Sequence, residues 1–115
     1  MLCLHTLYAD DIREAPGIKG VLNLRTQTPL HYICCGQIDG CTVMVSQAYG
    51  SGKRKVIITA FGSDEKVVGK VVDDLLMQMG AVEDDVPKQA LKRQIATAKM
   101  LVRAGLAPEW LGNLK

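Results

Sequence analysis

Six residues among the first 41 carry thiol or imidazole donors: Cys3, His5, His31, Cys34, Cys35 and Cys41. Thiolate and imidazole are the usual ligands of tetrahedral zinc. The spacing argues against a metal site. There is no Cys-x-x-Cys pair, and Cys34 and Cys35 are neighbours on an expected strand, where successive side chains point to opposite faces. The expectation is buried thiols that pack as small hydrophobes, with no metal. A nucleophilic cysteine needs a base within hydrogen-bond reach. His31 and Cys35 share a strand face, but four residues of strand separate them by about 13 Å. Cys34 faces away from His31, and nothing in the sequence places His5 beside a thiol. Asp10-Asp11 and Asp73-Asp74 are paired carboxylates in sequence only, the first in a polar loop and the second on an exposed helix face. No G-x-G-x-x-G, Walker loop, H-E-x-x-H or G-x-S-x-G occurs. Gly50-Ser51-Gly52-Lys53 joins two expected strands, whereas a phosphate loop of the Walker type opens a helix. No catalytic residue and no cofactor is assigned, and a non-enzymatic chain is expected.

Two basic features remain as binding candidates. Lys53, Arg54 and Lys55 form a charged rim at a hairpin tip. Lys88, Lys92, Lys99 and Arg103 fall within about 60° of one another on a helix and flank its apolar stripe, with Arg93 on the far side. No acidic residue lies between Val86 and Arg103. Such a face is ordinarily a solvated one. Its functional use is contact with phosphates or with an acidic protein. The four cations span about 22 Å along the helix axis, enough to follow a nucleic-acid backbone. The net charge of +2, the acidic Glu83-Asp84-Asp85 beside the stripe's start and the lack of interleaved aromatics oppose that use. A protein partner, with Met100 and Trp110 as neighbouring apolar contacts, is the first expectation. A nucleic acid held by the basic helix face and the hairpin tip is the alternative.

These residues must be positioned by a framework, which centres on Thr42 to Gly80. Val43–Ala48 and Val56–Phe61 are β-rich runs, with Tyr49-Gly50-Ser51-Gly52-Lys53 between them as a hairpin loop. Ser63 is the expected N-cap of a helix over 64–79, and Asp64 and Glu65 put negative charge at its positive end. Gly80 closes it. Val68, Val71, Val72, Leu75, Leu76 and Met79 make its apolar arc. Gly69, at the edge of that arc, suggests a close backbone approach. Ala81 to Asp85 reads as an acidic linker. Pro87 sits in the first turn of a second helix, which runs to about Ala104 and stops at Gly105. Leu91, Ile95, Ala98 and Val102 form its stripe. A last turn after Pro108 folds Trp110 and Leu111 back onto the core.

Upstream, Leu2 to Tyr8 gives a weak strand signal, Ala9 to Gly20 a polar loop, and Val21 to Thr26 a short strand broken by Pro29. His31–Ile38 is a better strand. Asp39-Gly40 is a two-residue hairpin turn of type I′, which requires positive φ at both positions. It pairs Ile38 with Cys41, Gln37 with Thr42, Cys35 with Met44 and Cys34 with Val45. Ile33, Cys35, Met44, Val56 and Ile58 are expected on one face, and Cys34, Val43, Val45 and Ile57 on the other. The expected fold is α+β: an antiparallel meander of three to four strands followed by two C-terminal helices packed on one sheet face. The second apolar face then needs a cover of its own, either the N-terminal segment or a second copy in a homodimer.

At 115 residues and 48% hydrophobic, the chain is expected to form one domain with one core. Aromatics are scarce, so Val, Ile, Leu and Met must fill that core. No apolar run approaches the roughly 18 residues of a membrane-spanning helix, and Met1 to Tyr8 lacks the basic flank of a secretory signal. All four cysteines fall within the first 41 residues, which fits a cytoplasmic protein better than a disulfide scaffold. Tyr49 to Gly80, about a quarter of the chain, loosely resembles the last hairpin and helix of a TATA-binding-protein repeat. The shared parts are Ser51-Gly52-Lys53, the strand after it and the capped helix ending in glycine. The aromatic wedges of that family have no counterpart here.

Overall fold

A computed structural model describes residues 2–8, 24–27, 31–48, 55–79, 82–84 and 88–113. Of these, 2–8, 24–27, 31, 48, 55, 79, 82–84, 88–91 and 113 are described by their backbone alone. Six strands, β1 (Leu2–Tyr8), β2 (Leu24–Gln27), β3 (His31–Ile38), β4 (Cys41–Ala48), β5 (Lys55–Phe61) and β6 (Val82–Asp84), form one antiparallel sheet in the order β2-β3-β4-β5-β1-β6. Helices α1 (Glu65–Met79) and α2 (Lys88–Arg103) and a 3₁₀ turn, η1 (Glu109–Asn113), complete an α+β fold.

β2 to β5 are the expected meander. Asp39 and Gly40 adopt φ of 50° and 78°, the double positive φ of a type I′ turn. Ile38↔Cys41, Gln37↔Thr42, Cys35↔Met44 and Cys34↔Val45 pair as that turn dictates. Two further strands extend the meander. β1 pairs with β5 along its whole length, from Leu2↔Phe61 to Tyr8↔Lys55. Val82–Asp84, expected to be linker, is the edge strand β6 and pairs with Thr6–Tyr8. A short acidic edge strand discourages pairing with further chains.

The two helices cover opposite faces of the sheet, not one. Val68, Val71, Val72 and Leu75 of α1 pack on Cys34, Val43, Val45, Val56, Ile58 and Ala60. Ala98 and Leu101 of α2 and Leu111 of η1 pack on Ile33, Cys35, Met44 and Phe61. The cause is visible in β3 to β5, which are apolar on both faces, so each face has to be taken out of water. Val56 and Ile58 therefore share the α1 face with Val45, which pairs directly with Ile58. That reverses the faces expected for Val56, Ile58 and Ile57. α1 covers the face of Cys34, Val43 and Val45, on which a homodimer was expected, and α2 with η1 covers the other, so both covers come from within the chain. The N-terminal segment is a strand of the sheet and not its cover.

α1 starts one residue later than expected, and Asp64 is its N-cap in place of Ser63. The Lys66 N–H donates to Asp64 Oδ1 at 2.9 Å, and the Val68 N–H donates to the Asp64 carbonyl at 3.0 Å. Residue N2 is thereby satisfied by the cap side chain. α2 ends in a Schellman motif: the Leu106 N–H reaches the Leu101 carbonyl at 2.9 Å, the Gly105 N–H reaches Val102 at 3.1 Å, and Gly105 has φ of 72°. The close approach expected at Gly69 lies elsewhere. Among the described residues a Cβ at Gly69 would meet nothing within 4 Å, whereas one at Gly62 would lie 2.8 Å from Val68 Cγ2 and 2.9 Å from Cys41 Sγ. Gly62 is the point where the chain turns from β5 into α1 against Cys41.

Two stability outcomes follow. Asp64→Ala should lower the urea unfolding free energy by about 1 kcal/mol, and Ser63→Ala should leave it nearly unchanged. Equal losses would reassign the cap. Gly69→Ala should raise stability by up to about 1 kcal/mol, and Gly62→Ala should lower it, since Val68 and Cys41 must move. Thermal melts of the two variants check the opposite signs.

Candidate functional site

The thiols come first. Cys34 lies in the core beneath α1 and Cys35 in the core beneath α2, so the two adjacent sulfurs are on opposite sides of the sheet. Cys41 is buried beside α1's start. No disulfide joins Cys34, Cys35 and Cys41. Among the described residues no group of three His, Cys, Asp or Glu could hold a metal ion. The side chains of Cys3, His5 and His31 and the pair Asp10-Asp11 lie outside the described residues. Burial, with a smaller contribution from Cys34, pushes the Cys35 thiol from 9.0 to about 11. Burial first, then Asp39 and Asp64, raises Cys41. A thiol held in its protonated form is a poor nucleophile, and Cys35 and Cys41 are packed among apolar side chains.

The polar groups of the α2 side sit between helix and sheet. Ser46 on β4 is 4% exposed and Gln94 on α2 is 7% exposed, and the Ser46 Oγ donates to Gln94 Oε1 at 3.0 Å. Thr59 on β5 is fully buried on the same side, and its Oγ1 has no partner among the described residues. Gln94 is absent from the stripe expected for α2, because that stripe was drawn from apolar residues alone. The available signal was Ser46, a hydroxyl in the middle of an apolar strand that would need a partner once buried.

Gln94 changes how α2 is rotated. The inward direction runs through Gln94, Ala98 and Leu101, with Ile95 and Val102 only partly buried at its margin. At about 100° per residue this is turned roughly 60° from the expected Leu91-Ile95-Ala98-Val102 stripe. The turn brings Lys92, Ala96 and Arg103 to the outermost line of the helix, with Lys99 beside them. The cations thus form the crest of α2 and do not merely flank its apolar stripe. Lys92, Arg93, Ala96, Lys99, Met100 and Arg103 are all exposed, Met100 by 49%. No described carboxylate pairs with Lys92, Lys99 or Arg103, and α2 carries no acidic residue in its first turn.

Lys53 and Arg54 lie outside the described residues. Lys55 opens β5 opposite Tyr8, and Lys88 is the first residue of α2, with only their backbones described. Trp110 is partly buried against the α2-side core. Asp73 and Asp74 are exposed on α1, as expected.

The pH dependence of the thiols is testable. Protonation of Cys35 is favoured in the folded chain, so its contribution to stability is whole below pH 9.0 and is lost as pH rises toward about 11. Urea midpoints should fall across that window, and the fall should be shallower in Cys35→Ala. At pH 8 the three core thiols should resist a maleimide until the chain unfolds. Rapid labelling of the native protein would show an accessible thiolate instead.

No family model, no curated protein and no solved structure matches this chain.

Proposed function

We infer that this chain is a small non-enzymatic binding module that acts through a protein partner, with the outer face of α2 as its contact surface. The observation that carries this reading is the crest of Lys92, Lys99 and Arg103, unpaired among the described residues and adjoining the half-exposed Met100. A surface that mixes cations with an exposed thioether suits a protein contact, because methionine packs on irregular apolar surfaces. The buried thiols and the protonated state of Cys35 speak for packing in place of catalysis. Among the described residues no helix is long and apolar enough to cross a membrane. With Cys34, Cys35 and Cys41 unbridged, we place the protein in the reducing cytoplasm.

Nucleic acid remains the second reading, since the same crest follows one line along the helix. The two make different demands. Phosphate binding falls steeply with salt, because each neutralised phosphate releases counterions. Anisotropy titrations with duplex and single-stranded DNA and RNA, at about 50 and 200 mM salt, should give only weak binding that Lys92→Ala plus Lys99→Ala hardly changes. Cross-linking capture from the source cell should retain a protein on the wild type that this double variant loses. Tight, salt-steep nucleic-acid binding abolished by the two substitutions would move the function to nucleic acid.

A further inference from the structure

The outer face of α2 has a shape as well as a charge. Ala96, Lys99, Met100 and Arg103 are spaced i, i+3, i+4 and i+7, and all four are exposed. Four residues at that spacing form the hole that accepts one side chain of a facing helix. Here one corner is a methyl group, Ala96, and the adjacent corner is the apolar side chain of Met100. The remaining corners are cations. Lys92 stands one turn before Ala96 on the same line, and Arg93 one heptad before Met100. The hole is thus partly apolar, with positive charge along one rim and beyond its N-terminal end.

Lys99 and Arg103 are an i,i+4 pair of like charge, which is unfavourable on an isolated helix. No acidic residue of α2 offsets it, and neither cation is ion-paired among the described residues. A partner that brings carboxylates to this rim relieves that repulsion and gains charge-assisted hydrogen bonds. Phosphate contacts would use the rim alone and leave Ala96 and Met100 without a role.

On the reading that α2's outer face binds a protein, we propose that the occupant is an acidic amphipathic helix. It inserts an apolar side chain into the hole of Ala96, Lys99, Met100 and Arg103 and sets its glutamates or aspartates against Lys92, Lys99 and Arg103. The contact is a single helix pair, so it belongs to the small, transient class of interfaces. Charge complementarity sets its orientation, and the seated side chain distinguishes it from a generic polyanion.

Ala96→Lys separates the two. Ala96 is exposed and lysine is a good helix former, so the fold, read by circular dichroism, should be unchanged. The substitution adds positive charge and fills the hole. The probe is a labelled peptide of about three heptads, with leucine at the seam positions and glutamate on either side. Its scrambled isomer, polyglutamate and a short DNA duplex serve as controls. The wild type should bind the amphipathic peptide at least about tenfold more tightly than the scrambled isomer or polyglutamate, and Ala96→Lys should weaken that binding by about tenfold. Lys99→Glu plus Arg103→Glu should abolish it. Equal affinity for ordered and scrambled peptides, or no binding of the peptide, overturns the proposal. Tighter binding of all anions by Ala96→Lys also overturns it, yet leaves the α2 surface in use if Lys92→Ala plus Lys99→Ala still removes binding. A retained partner insensitive to that double variant defeats the surface itself.

Discussion

The hydrogen bond from Ser46 to Gln94 is the contact on which the presentation of α2 depends. Both side chains are buried, and either one left alone would keep a desolvated polar group without compensation. Together they tie a fixed position on β4 to a fixed position on α2. Ala98 and Leu101 supply the apolar part of the contact, but aliphatic side chains tolerate small rotations of a helix that a hydrogen bond does not. With Gln94 turned inward, 3.6 residues per turn leave Lys92, Ala96 and Arg103 no direction but outward. The charge pattern on the surface is therefore set from beneath.

The two helices hold the sheet by different means. α1 buries four aliphatic side chains, Val68, Val71, Val72 and Leu75, each worth about 1.5–3 kcal/mol. Among the described residues α2 fully buries Ala98 and Leu101 and adds Gln94. Its attachment is reinforced by η1, where Leu111 is fully buried and a Cβ at Gly112 would stand 3.3 Å from Val102 Cγ2. The Schellman turn at Gly105 reverses the chain so that η1 can return to the same face. The C-terminal turn is thus a clamp on α2.

The parts of this fold that were legible in the sequence are those fixed by local chemistry. Asp39-Gly40 admits one turn type, and that turn sets every pairing between β3 and β4. Gly105 and the apolar arc of α1 are likewise local signals. The parity of β5 was not legible, because the longer connection from β4 does not fix register and β5 is apolar on both faces. A one-residue slip then exchanges Ile57 for Ile58 without penalty in the pattern. The layering was missed for the same reason, since two apolar faces accept helices on one side or on both. Lys92, Lys99 and Arg103 were legible as a group from their spacing. Their position at the crest was not, because it depends on a polar residue being buried, which hydropathy alone does not signal.

The place of β1 carries a consequence for how the sheet is assembled. Among the described strands the first in sequence, β1, is an interior one, lying between β5 and β6. Ile38 and Cys41 meet across two residues, whereas Leu2 waits for Phe61 and Tyr8 for Val82. During synthesis the opening strand emerges with neither neighbour yet made. The hairpin of β3 and β4 closes a short loop, while β1 closes the longest loops in the sheet, and contacts of large sequence separation slow the folding of small domains. Changes to the hairpin turn bear on a local contact, and changes in β1 bear on the pairings of largest sequence separation among the described strands.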